Sequence, residues 1–147
     1  MRRRWLALRV VAVVGLLAGL ISVTWAPTRV SAQMASYLDG DDLRSLAVER
    51  AEAWGASSSR VLAIVRCETG NKWRTDLIGA AGELGAGQWM AGGAWYATPQ
   101  YRVLGVDIRT LYQEDHPDAP FWDMDGLAWS FSPAAPPGFI RQWSGCL

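Results

Sequence analysis

One histidine, two cysteines and, past residue 32, no cluster of basic residues interleaved with aromatics narrow what this chain can do before any motif is read. The lone His116 sits in the polar stretch 113–118, with no serine or cysteine spaced to use it as a base, so a loop is expected for it rather than a triad. Acidic residues do not gather at ligand-loop spacing. Only Asp123 and Asp125 stand close enough in sequence to share a cation, and helix capping or solvation is the plainer task for them. No metal site and no cofactor are expected.

Long apolar runs are also missing. The longest, over residues 10–23, is about 14 residues, short of the roughly 20 that a helix needs to cross the hydrocarbon core. The basic start Arg2, Arg3, Arg4 and Arg9 precedes it, and the small residues Val30-Ser31-Ala32 follow it. That layout is an export signal over residues 1–32, cut after Ala32, with Ala26 before Pro27 as an alternative cut. An uncleaved signal is the one route by which the chain would be held at a membrane.

The full chain carries 14 basic and 14 acidic residues. Loss of residues 1–32 removes five arginines and no acid, leaving a net charge of −5. A surface of that sign gains nothing from phosphate backbones, so nucleic acid is excluded as the expected partner. About 115 residues then remain, enough for a single core and too few for two.

Cys67 and Cys146 both lie in the exported part, where disulfides form and persist, and they are expected to be bonded. Two free buried thiols are the alternative. A bond closing so long a loop stabilises by up to about 4.5 kcal/mol in the chain-entropy view.

After a short linker over residues 33–39, apolar Leu43, Leu46, Ala47, Ala51 and Trp54 recur at helical spacing up to Gly55. Ser57-Ser58-Ser59 offers cap hydroxyls for a second helix. Val61, Leu62, Ile64 and Val65 make it apolar nearly all round until Gly70 stops it, so it belongs in the core. Seven glycines between residues 70 and 93 break any long helix there, and Trp73, Trp89 and Trp95 are spread among them, as in the wall of a groove. Asp107 caps a helix over residues 108–113. Asp118-Ala119-Pro120 opens another that runs to Phe131, where the proline-rich stretch 133–138 ends it. A last apolar turn over residues 139–143 brings Cys146 back toward Cys67.

Glu68 is the residue that asks for a task. A charged side chain at the exit of an apolar helix needs either a partner, with Arg66 and Lys72 at hand, or a function. The partial negative charge of a helix C-terminus, together with desolvation, favours the protonated carboxyl. Glycoside cleavage requires such an acid near neutral pH.

The order Cys67-Glu68-Thr69-Gly70, then Trp73, then Gly82-Glu83-Leu84-Gly85-Ala86-Gly87-Gln88-Trp89-Met90 resembles the lytic transglycosylases of the lysozyme superfamily. In that family a helix ends in Glu followed by Ser or Thr, and a later glycine-rich stretch carries a Gln that lines the sugar groove; Glu68-Thr69 and Gly87-Gln88 match those places. The Cys-Glu-Thr-Gly…Trp piece is also similar to resuscitation-promoting factors, in which a disulfide ties the catalytic helix to the rest of the domain. The resemblance covers roughly residues 40–147, with its motif detail confined to residues 66–90. It departs from the family at Ala128-Trp129-Ser130, where many members have Ala-Tyr-Asn, so no role for a tyrosine carries over.

The resemblance implies a mainly α, small single-domain lysozyme-like (SLT-like) fold with a substrate cleft over residues 40–147. It implies a monomeric, secreted enzyme acting on peptidoglycan glycan strands, with Glu68 as catalyst and Thr69, Trp73, Glu83, Gln88 and Trp89 against the sugar. Glu83 is the first candidate for an assisting carboxylate and Asp76 the second; otherwise Glu83 orders the glycine-rich loop through backbone N–H bonds, and Asp76 is a solvated loop residue. A hydrolysing muramidase and a non-catalytic peptidoglycan-binding domain are the alternative readings.

Overall fold

The computed structural model of the chain describes residues 37–147. The expected signal segment 1–32 and the first part of the expected linker, 33–36, lie outside the described residues.

The described residues are mainly helical. Helix α1 (Gly40–Trp54) begins with Asp41 and Asp42 in its first turn and stops at Gly55, whose left-handed φ of 65° lets its N–H reach back to Ala51 and Glu52. Ser57 then accepts the Arg60 N–H at 3.4 Å and starts α2 (Ser58–Glu68), which ends at Thr69. The expected boundaries of both helices agree with these to within two residues.

Between α2 and residue 94 the chain forms no strand, only isolated antiparallel bridges, Asp39 with Arg74, Ile78 with Leu84 and Leu84 with Trp89. The first of these, with the Leu38 N–H donating to Thr75 Oγ1 at 2.9 Å, ties residues 38–39 to the domain. A 3-10 turn (Ala94–Ala97) leads into α3 (Pro99–Leu104), capped by Thr98 with proline at its first position. This helix was not expected from the sequence; at six residues its periodicity is too short to read. Helix α4 (Ile108–Gln113) is capped by Asp107, which accepts the Arg109 N–H at 2.9 Å, as expected. Helix α5 (Ala119–Ser130) follows, and a kinked 3-10 tail (Phe139–Cys146) closes the chain.

The centre belongs to α5, which packs on α1, α3 and α4, while α2 packs on α1 and the tail. Ten of the twelve α5 residues are buried, so it has no polar face to turn outward. Helix α2 buries Val61, Ile64 and Val65 and leaves Ala63, Arg66 and Cys67 exposed. Trp89 sits at the middle of the core with Trp95 and Trp143 edge-on to it, each with ring centroids 5.2 Å away. Such pairs add about 1 kcal/mol each beyond the area they bury. Gly126 on α5 makes room for them, since a methyl there would meet Trp95 Cζ3 at 2.8 Å.

Candidate active site

Glu68 is the last residue of α2, and its carboxyl is half-buried. Cys67, one residue earlier, is bonded to Cys146, as expected, so the tail lies over the helix end. Glu68 Oε1 is 3.2 Å from Cys146 Sγ. A disulfide sulfur carries no proton, so a hydrogen bond forms across this gap only when Glu68 is protonated and its O–H donates to the sulfur. Among the described residues no ion pair neutralises Glu68; neither Arg66 nor Lys72 takes that part. Burial raises its pKa above the ordinary glutamate value, and the negative charge of Glu83 raises it further.

Glu83 reaches this neighbourhood from the glycine-rich segment. Its Oε2 accepts the Ala81 N–H at 2.9 Å, the loop-ordering bond that was its alternative role. The Glu83 carboxylate and the Gln88 amide oxygen both press over Gly79, where no side chain would fit between them. Gln88 itself stands at a left-handed φ of 49° and donates through Nε2 to the Gly85 carbonyl at 2.6 Å, which leaves its oxygen free to accept. Both side chains are half-buried.

The other expected sugar contacts are buried. Trp89 is fully buried and spends its indole N–H inside the protein, so it offers no face to a ligand. Thr69 is 2% exposed, and its hydroxyl oxygen accepts the Trp73 N–H at 3.2 Å, a local bond that shapes the helix exit. Trp73 is 9% exposed and covered by the Arg44 guanidinium, 4.4 Å from the ring centroid. Trp95, read as a groove residue, is also fully buried, with its N–H on the Val106 carbonyl. A neighbouring glycine does not mark a groove wall here: Gly87 lies against the buried Trp89 ring, where a side chain would not fit. Asp76 pairs with Arg74 at the surface, and His116 accepts the Asp118 N–H at 3.2 Å.

Two buried acids carry more of the architecture than the sequence suggested. Asp123 of α5 is fully buried and accepts four hydrogen bonds, from the Ala86 and Gly87 N–H groups, the Trp89 indole and the Tyr112 hydroxyl, at 2.6 to 3.1 Å. It therefore fixes the turn between Leu84 and Trp89 that presents Gln88. Gly85 (φ 82°) lies against the Asp123 carboxylate and the Tyr112 ring with no space for a side chain. Burial pushes the Asp123 pKa up to about 6 against the pull of its donors, and burial beside Asp123 holds the Tyr112 hydroxyl well above its usual range.

Asp125, two residues on, accepts from Arg50 and the Trp54 indole at 2.8 Å and from Gln100 at 2.6 Å, joining α1, α3 and α5. The two acids bind different partners and share none. Among the described residues no group of acids, histidines and cysteines is arranged to hold a metal ion. Acidic residues inside an otherwise apolar helix were the available signal, since a buried charge has to be paired.

A cavity of about 280 Å³ lies between Tyr37, Thr75, Asp76, Leu84 and Tyr112, and an open hollow of about 440 Å³ lies against Arg66, Cys67, Gly70 and Asn71. Glu68 lines neither of these two. Among the described residues no helix is long and apolar enough to cross a membrane. No protein-family model matches the chain, and comparison with curated proteins and with solved structures finds no match.

Proposed function

We propose that the domain is an exported, lysozyme-like enzyme that cleaves peptidoglycan glycan strands between the two amino sugars, with Glu68 as its acid. The observation that carries this reading is the state of Glu68: half-buried, without a cationic partner, with its pKa raised by burial and by Glu83. In the proposed reaction the Glu68 O–H gives its proton to the glycosidic oxygen as the bond to the anomeric carbon breaks. The resulting carboxylate then takes the proton of the sugar's own 6-hydroxyl, whose oxygen closes on the anomeric carbon. An anhydro sugar leaves, Glu68 is protonated again, and one carboxyl suffices. Glu83, with one oxygen already on the Ala81 N–H, and Gln88, with its free amide oxygen, are proposed to flank the sugar.

A second reading, hydrolysis, has one observation in its favour, because the charge of Glu83 reaches Glu68 and a hydrolase generally uses two carboxylates. Mass spectrometry of peptidoglycan digested by the purified protein separates the two. Anhydro ends are expected; reducing ends alone would replace the transglycosylase by a muramidase, and intact strands would leave a binding domain.

A further inference from the structure

We propose that Cys146 is a positioning residue for Glu68, its sulfur covering the carboxyl and favouring the protonated acid. The inference rests on the reading of Glu68 as the acid and deepens it.

Three observations place the sulfur there. The tail is anchored by Trp143, which is 1% exposed, stands edge-on to Trp89, and donates its indole N–H to the Gly87 carbonyl at 2.9 Å. The disulfide fastens the tail's end to the residue preceding Glu68. Cys146 Sγ then meets Glu68 Oε1 at 3.2 Å. The sulfur is a weak acceptor and no donor, so it offers nothing to a carboxylate and a hydrogen bond to the acid. It also occupies space that water would otherwise use to solvate the charge.

The charged groups around Glu68 are few. Glu83 acts on it from the glycine-rich segment. Arg66 and Lys72 near its own helix end and Arg141 of the tail form no ion pair with it. Cover by the disulfide and repulsion by Glu83 therefore push the same way, and they are separable.

The test is a carbon-13 NMR titration of the Glu68 carboxyl in the full exported domain, for the native protein, Glu83→Gln, and Cys67→Ala/Cys146→Ala. With the tail still held by Trp143, the double variant is expected to titrate at lower pH than the native protein, as water reaches the carboxyl. In Glu83→Gln, with the disulfide intact, Glu68 is expected to stay above ordinary glutamate. An unchanged titration in the double variant, with only its melting temperature lowered, would reduce the disulfide to a brace and overturn the proposal. Should the double variant not fold, Glu83→Gln still decides: a Glu68 that returns to the ordinary value would show that Glu83 alone raises it. The titration needs no turnover, so failure to cleave peptidoglycan would remove the enzyme reading while the positioning role is judged separately.

Discussion

Asp123 Oδ1 accepts the indole N–H of Trp89 at 2.7 Å at the centre of the core, one residue past Gln88. The same carboxylate takes two backbone N–H groups of the preceding turn, so a fully buried tryptophan and the turn that carries Gln88 share a single acceptor.

Replacing Asp123 by Ala leaves buried donors unpaired, each costing about 1–3 kcal/mol. A loss of about 3 kcal/mol or more is expected in urea unfolding, together with release of the turn. A loss under about 1 kcal/mol would show that the turn holds itself.

Asp123 also sets a pH dependence of stability. Its ordinary pKa of 3.8 applies to the unfolded chain and a value of about 6 to the fold. Between those values the folded state keeps a proton that the unfolded state has released. This group's contribution is therefore greatest below about 4, falls as pH rises to about 6, and is flat above, a change of about 3 kcal/mol in all. Subtracting the unfolding curve of Asp123→Asn from that of the native protein across this range isolates it; a difference that rises with pH would contradict the sign.

Gly126→Ala puts a methyl against Trp95 inside a packed core. Overpacking of this kind costs about 1–3 kcal/mol, read as a lower melting temperature with the helical content retained. An unchanged melting temperature would mean that the tryptophan cluster yields freely.

Glu83→Gln removes the charge that raises Glu68 while keeping an oxygen for the Ala81 N–H. In the proposed reaction cleavage needs protonated Glu68 and is lost as pH rises through its pKa. The alkaline limb of the pH profile of kcat/KM should thus move to lower pH in this variant. A limb that stays in place would show that Glu83 does not act on the acid.

The helices carried clear signals where periodicity and caps agreed: Gly55, Ser57, Asp107 and Pro120 mark ends that the structure keeps. The disulfide followed from two cysteines in a chain expected to be exported. The glycine-rich segment was less legible, because its conformation depends on Asp123, thirty-odd residues away, and a tertiary contact leaves no local pattern. Tryptophan carries the same ambiguity, since a large flat ring suits a sugar and a core equally well. Only the fold decided that Trp89 and Trp95 fill the interior, while Glu83, whose charge reaches Glu68, and Gln88 stay half-buried.

Glu68 is proposed to supply the proton for glycan cleavage, and Glu68→Gln removes that proton while keeping the side chain's shape. Incubated with purified peptidoglycan, the variant is expected to lose at least about 100-fold in the rate of fragment release, while its circular dichroism and its binding to the glycan stay close to those of the native protein. Release of fragments at the native rate by the variant, or by neither protein, would contradict the account.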